Sequence, residues 1–228
     1  LIPERDLVNT QAPHTVTDSG DDRDLSSPPE TEVDGLTPAD SWATHETTTV
    51  WAASGPADDA GVRVEVHDVT APEGDRFDYP IVHLPRVAIA LVVRDGDAGE
   101  EVLMLRTYRY PVNRYGWELP GGGIDDGEEP RVAAAREAAE ETGWRPRGPG
   151  RPLIDFEPLP GGVSTSIHVH LWRDAERSDE PLDRHEPGRA RWVPVSDVVR
   201  LAGAGELLGS GTLVGLLQYV AESTDGPE

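Results

Sequence analysis

Between Gly122 and Trp144 the chain reads GGIDDGEEPRVAAAREAAEETGW, and this stretch constrains the fold more than any other. Its second half, RVAAAREAAEET (131–142), is rich in Ala and other strong helix formers. Pro130 suits a first helical turn, and Gly143 suits a left-handed C-terminal cap. The first half, with Asp125, Asp126 and Gly127, reads as a loop. On the predicted helix, residues four apart share a face, so Glu137 and Glu141 lie one turn from each other, with Glu140 at the border of that face. Three carboxylates so placed repel one another, and no base is spaced between them to relieve it. A divalent cation with a preference for hard oxygen ligands, Mg2+ or Mn2+, would reward the arrangement. An exposed acidic surface helix is the plainer explanation, but surface charge does not account for Gly122, Arg136 or Gly143.

The spacing is G-x5-E-x7-R-E-A-x-E-E-x-G-W, from Gly122 through Glu128, Arg136, Glu137, Glu140, Glu141 and Gly143. It resembles the Nudix box of the Nudix hydrolase family, with Ala138 where a larger aliphatic residue is commonest. The resemblance implies an α/β fold, the Nudix α/β/α sandwich with a mixed sheet. It also implies cleavage of a nucleoside diphosphate linked to another moiety, by attack of water on phosphorus. Glu137, Glu140, Glu141 and the Gly121 carbonyl would be metal ligands, and Glu140 and Glu141 would also serve catalysis. Gly122, Glu128 and Arg136 would support them, Arg136 by orienting a neighbouring glutamate.

The flanks narrow the resemblance. YRYPVNRYGWELPGG (108–122) is similar to a segment of the ADP-ribose pyrophosphatase branch, with Thr107 in place of Gln and Gly121 in place of Ala. Pro160, 16 residues beyond Trp144, fits a marker of the same branch. By that resemblance Arg109 and Glu118 would lie near the diphosphate, and Glu186 in DRHEPGR would be the late-loop catalytic glutamate. The plainer readings are an ordinary ion pair and a solvated loop acid. GGVSTSIHVH lacks the glutamate usual after the Pro160 region, which leaves metal number and substrate preference open. His168, His170 and His185 read as ordinary strand or loop residues. Two other activities compete: a nucleoside triphosphate pyrophosphohydrolase, and a non-catalytic ADP-ribose-binding sensor module.

Along the chain, residues 1–40 carry ten acidic side chains against Arg5 and Arg23, a composition expected of a flexible acidic tail. Residues 41–84 then read as a small antiparallel N-terminal β-sheet: THETTTV between Trp42 and Trp51, VRVEVHDV with period two, a turn at APEGD, and RFDYPIVHL. In the branch resembled, such a sheet mediates dimerisation, so a homodimer is implied.

The Nudix hydrolase domain would span 85–223. RVAIALVVR (86–94) reads as a central strand, EVLMLRTYRY (101–110) as its return, and LIDFEPL, VSTSIHVHLW (163–172) and ARWVPV (190–195) as further strands. RDAERSDEPLDRHEPGR (173–189) reads as a long charged loop. Ser196 is placed to cap a short helix through Leu201, and TLVGLLQYVAES (212–223) is an amphipathic C-terminal helix.

Composition sets outer limits. The 228 residues carry 43 acidic and 20 basic side chains, net −23, and every basic one is Arg. Such a charge repels phosphate backbones, which argues against nucleic acid while leaving a small metal-neutralised nucleotide as substrate. With no Cys, disulfides, thiolate metal sites and a Cys nucleophile are excluded. No apolar run approaches the ~20 residues of a membrane span, and no signal peptide is visible. A soluble, cytoplasmic protein is expected, and the start at Leu1 rather than Met leaves its true beginning open.

Overall fold

The computed structural model describes residues 42–53, 61–178 and 189–224, so the acidic tail lies outside the described residues. The period-two segments form β1 (Ala43–Ala52), β2 (Arg63–Thr70) and β3 (Arg76–His83), an antiparallel meander. Between β2 and β3 the turn is closed by the Gly74 N–H donating to the Ala71 carbonyl at 2.9 Å.

The long apolar run becomes β4 (Val87–Gly96), which returns as β5 (Gly99–Arg109). There follow β6 (Arg114–Glu118), β7 (Gly121–Gly123) and the helix α1 (Pro130–Thr142). Three strands come next: β8 (Trp144–Pro146), β9 (Arg151–Phe156) and β10 (Val163–Ser164). The chain continues through β11 (Ile167–Trp172), β12 (Ala175–Arg177) and β13 (Arg189–Pro194). Helices α2 (Val198–Gly203) and α3 (Ser210–Thr224) close it.

The main sheet has the order β13-β5-β4-β11-β9, with β6 added to β5 and β7 added to β4. Only β11 runs parallel to β4; the other pairings in this sheet are antiparallel, so it is mixed. β4 reads as a continuous apolar run because both its faces are covered. Ile89, Leu91 and Val93 face a core completed by Leu201 of α2 and by Leu216 and Tyr219 of α3. Ala88, Ala90 and Val92 face the other way, onto Ala133, Ala134 and Ala138 of α1. Helices on both faces of one sheet make the expected α/β/α sandwich.

Four local expectations are corrected. The strand read over 163–172 is two strands, β10 joining β3 and β11 joining β4, because the chain changes sheets at Thr165 and Ser166. Ser196 does not cap α2: it sits in a 3-10 turn, Val195–Asp197, and Asp197 enters the helix with no side-chain cap bond. The glycines read as a loop form β7, since pairing with Val87, Ala88 and Ile89 supplies what their propensity lacks. Within the charged segment 173–189, β12 pairs with β8.

Candidate active site

The site begins with how closely α1 approaches the sheet. Pro130 opens the helix, and Gly143 closes it in the left-handed conformation (φ 69°), its N–H donating to the Ala139 carbonyl at 3.0 Å. Alanine faces alanine between α1 and β4, and the volume beside them is filled by Trp172 and the partly buried Trp144 and Trp192. Ala138 is therefore a fitted packing residue.

Glu137 and Glu141 meet the glycine strand β7. The Gly121 N–H donates to Oε2 of the buried Glu141 at 2.9 Å. A Cβ added to Gly122 would stand 2.5 Å from Cδ of Glu137, so only glycine lets that carboxylate lie against the backbone. Gly121 is equally constrained, because a Cβ there would strike the Ala88 carbonyl and Ile89.

Arg136 corrects the expectation that no base relieves the carboxylates. Its Nη1 donates to Glu137 Oε1 at 2.7 Å and to Glu140 Oε2 at 3.2 Å. Its Nε and Nη2 grip Glu128 at 3.1 and 2.9 Å, and Nη2 also reaches the Gly123 carbonyl at 3.1 Å. Glu128 additionally accepts the Asp125 N–H at 3.2 Å, which folds the loop back onto the helix. Hydrogen bonding from Arg136 holds the Glu128 carboxyl below its usual range despite burial, and the same bonds raise the Arg136 pKa. One positive charge is thus shared by three carboxylates. The side-chain atoms here that could ligate a metal are all carboxylate oxygens, a set that suits Mg2+ or Mn2+.

Arg109 and Glu118 are joined to each other. The guanidinium donates to the carboxylate through Nε at 3.0 Å and Nη2 at 2.6 Å, with Glu118 much the more buried. Glu186 and His185 lie outside the described residues. His168 contacts Asp155 at 3.1 Å and Ser166 at 2.9 Å. His170 is buried, which pushes its pKa down against the opposing pull of Asp155.

Sequence reasoning passed over a second cluster, Glu65, His67 and His83 on the N-terminal sheet. Its signal was available: Glu-x-His in a strand of period two places both side chains on one face.

Fold and cluster together define a Nudix hydrolase: the NUDIX domain model matches residues 84–208, and the chain belongs to that family. The resemblance to the ADP-ribose pyrophosphatase branch holds as well. An ADP-ribose pyrophosphatase of Mycobacterium tuberculosis is 31% identical over 140 residues, covering 60% of this chain and 66% of the relative. One from Bacillus subtilis is 29% identical over 157 residues, covering 68% and 82%. A CMP-5'-(N-acetyl-N-hydroxy-3-aminopropyl)phosphonate hydrolase of Streptomyces rubellomurinus is 39% identical over 154 residues, covering 68% of this chain and 73% of the relative. The crystal structure of an ADP compounds hydrolase shares the fold, with a TM-score of 0.67 at 20% identity over 81% of this chain and 95% of that one. Among the described residues, no helix is long and apolar enough to cross a membrane.

Proposed function

We propose that this Nudix hydrolase is metal-dependent and cleaves the diphosphate of ADP-ribose or a related nucleoside-diphosphosugar, by water attack on phosphorus. The observation that carries the reading is the seating of Glu137 against Gly122 and of Glu141 on the Gly121 N–H, with Arg136 shared among Glu128, Glu137 and Glu140. Glu137, Glu140, Glu141 and the Gly121 carbonyl would hold Mg2+ or Mn2+. A bound divalent ion would neutralise the diphosphate and lower the pKa of the attacking water.

The chain's own residues supply the rest. Arg136 holds Glu137 and Glu140 in place through charge-assisted hydrogen bonds. Glu140 or Glu141 takes or orients the proton of the attacking water, with Glu186 as the alternative base. Arg109, oriented by Glu118, offers its guanidinium to the diphosphate.

The test is product release from ADP-ribose with and without Mg2+, run beside nucleoside-diphosphosugars and nucleoside triphosphates. AMP and ribose 5-phosphate are expected. A second substrate reading is favoured by the 39%-identical relative: a CMP-linked phosphonate carries a phosphorus anhydride of the same kind, and belongs in the panel. Inorganic pyrophosphate released from triphosphates would favour triphosphate cleavage instead. Tight ADP-ribose binding without turnover would make the protein a sensor.

The homodimer is part of the same proposal. Trp42 and Phe77 are exposed on the N-terminal sheet with Tyr79 beside them, Trp42 meeting the two rings edge-on at 5.5 and 5.6 Å. Exposed aromatic clusters of this kind are typical of interface cores.

A further inference from the structure

The N-terminal sheet gathers three metal-ligating side chains on one face. Glu65 and His67 are two apart on β2 and point the same way. His83 ends β3 opposite Arg63, which sets it on that face and diagonal to Glu65. His67 Nε2 is 3.0 Å from Glu65 Oε2, and His83 Nε2 is 2.7 Å from the same oxygen. The other oxygen, Oε1, accepts from Arg63 Nε at 2.8 Å. All three ligand atoms lie within 4.8 Å of one another.

Two details argue for more than an ion-pair network. The side chains are 12% (Glu65), 20% (His67) and 17% (His83) exposed, so water does little of the solvating. His83 Nε2 is buried, and although close to Glu65 it lacks the direction of a hydrogen bond. Two imidazole nitrogens thus converge on one carboxylate oxygen, and only one of them is hydrogen-bonded to it. A cation bound by all three satisfies both nitrogens and the oxygen together.

We propose that Glu65 Oε2, His67 Nε2 and His83 Nε2 are the protein ligands of a divalent transition-metal ion of the zinc class, at a site separate from the α1 glutamates. Two imidazoles and a carboxylate suit Zn2+ and disfavour Mg2+, which takes oxygen ligands. Around a tetrahedral ion with bonds of about 2.0–2.1 Å, ligand atoms stand about 3.3 Å apart. The two nitrogen–oxygen separations, 3.0 and 2.7 Å, need to open by about 0.3 and 0.6 Å to reach it. Arg63 orients the carboxylate from outside, and an ion here ties β2 to the end of β3.

The test uses the full chain, stripped of metal by chelation and titrated with Co2+ as a spectroscopic stand-in for Zn2+, with excess Mg2+ present to occupy the oxygen-rich α1 cluster. One equivalent should give the intense visible absorption of a low-symmetry nitrogen and oxygen site, and Zn2+ should displace it. His67→Ala, His83→Ala and Glu65→Gln should each weaken binding by at least about tenfold, while Glu137→Gln leaves it unchanged. Zn2+ should also raise the unfolding temperature of the wild type and not of His83→Ala. If His83→Ala does not fold, the milder His67→Gln decides. No absorption, absorption indifferent to these substitutions, or absorption lost in Glu137→Gln would each overturn the proposal.

Discussion

Gly122 and Glu137 occupy what would otherwise be the same space, and the chemistry of the site turns on that overlap. Gly122→Ala would drive its Cβ into the Glu137 carboxyl, 2.5 Å from Cδ. Displacing that carboxylate by about 1 Å should lower kcat about 100-fold, with a far smaller change in unfolding temperature; steady-state kinetics and a melting curve check both. Glu141→Gln separates charge from structure. The amide oxygen still accepts the Gly121 N–H, so the fold should persist while kcat falls by about 100-fold or more. Near-normal turnover of this variant at saturating Mg2+ would remove Glu141 from the mechanism. In the sequence Gly122 stood out only as a residue that surface charge does not explain; its contact with Glu137 depends on how α1 packs against β7. The reach of Arg136 was not legible either. Its hold on Glu128, eight residues earlier, exists only once the Asp125–Glu128 bond has turned the loop back, and helical periodicity says nothing about loops.

At the scale of elements, α1 and α3 are held by opposite means. α1 is seated by small side chains, so Ala138→Leu would force it away from Ala88 and Ala90 and destabilise the fold by about 1–3 kcal/mol, read from denaturant unfolding. On α3 a polar anchor joins the apolar face: the Tyr219 hydroxyl donates to Glu100 at 2.6 Å, and Arg173 reaches the same carboxylate at 2.7 Å. The Tyr219 bond, then Arg173, hold the Glu100 pKa below its usual value against burial. Tyr219→Phe should therefore remove about 1 kcal/mol at neutral pH. A carboxyl with a depressed folded pKa stabilises when ionised. The loss should thus shrink as pH falls through the ordinary glutamate range, where the unfolded chain takes up its proton, and vanish once the lower folded pKa is passed. Long elements with a strong signal of their own, the unbroken apolar run of β4 and the helix formers of α1, were legible in the sequence. β6, β7, β8 and β12 were not, since each is short and made a strand by its neighbour, not by its own residues.

For the whole molecule, the three-layer architecture was what the Nudix resemblance implied, and β4 shows its physical reason: an unbroken apolar run covered on both faces. Strand order did not follow, because pairing partners far apart in sequence leave no periodic trace. The proposed dimer is tested at this scale: Trp42→Ser with Phe77→Ser should shift the solution mass, by light scattering, from twice the chain to once, with melting unchanged for the folded core. An unchanged mass would place the interface elsewhere, or show that none exists.

The changeover at Thr165 links the two sheets in time as well as in space. The C-terminal end of β3's outer edge is sealed by residues made some eighty positions later: Val82 and Leu84 donate to the carbonyls of Gly162 and Ser164, and the Tyr79 hydroxyl to that of Gly161. A chain emerging from the ribosome therefore leaves this end of the β3 edge unpaired until the Nudix box has been translated and this segment follows it. An unsealed edge is the part of a sheet that recruits foreign strands. Chains stalled or cleaved before Gly161 should accordingly be the ones that chaperones hold, and stopping synthesis on either side of that point would expose the difference.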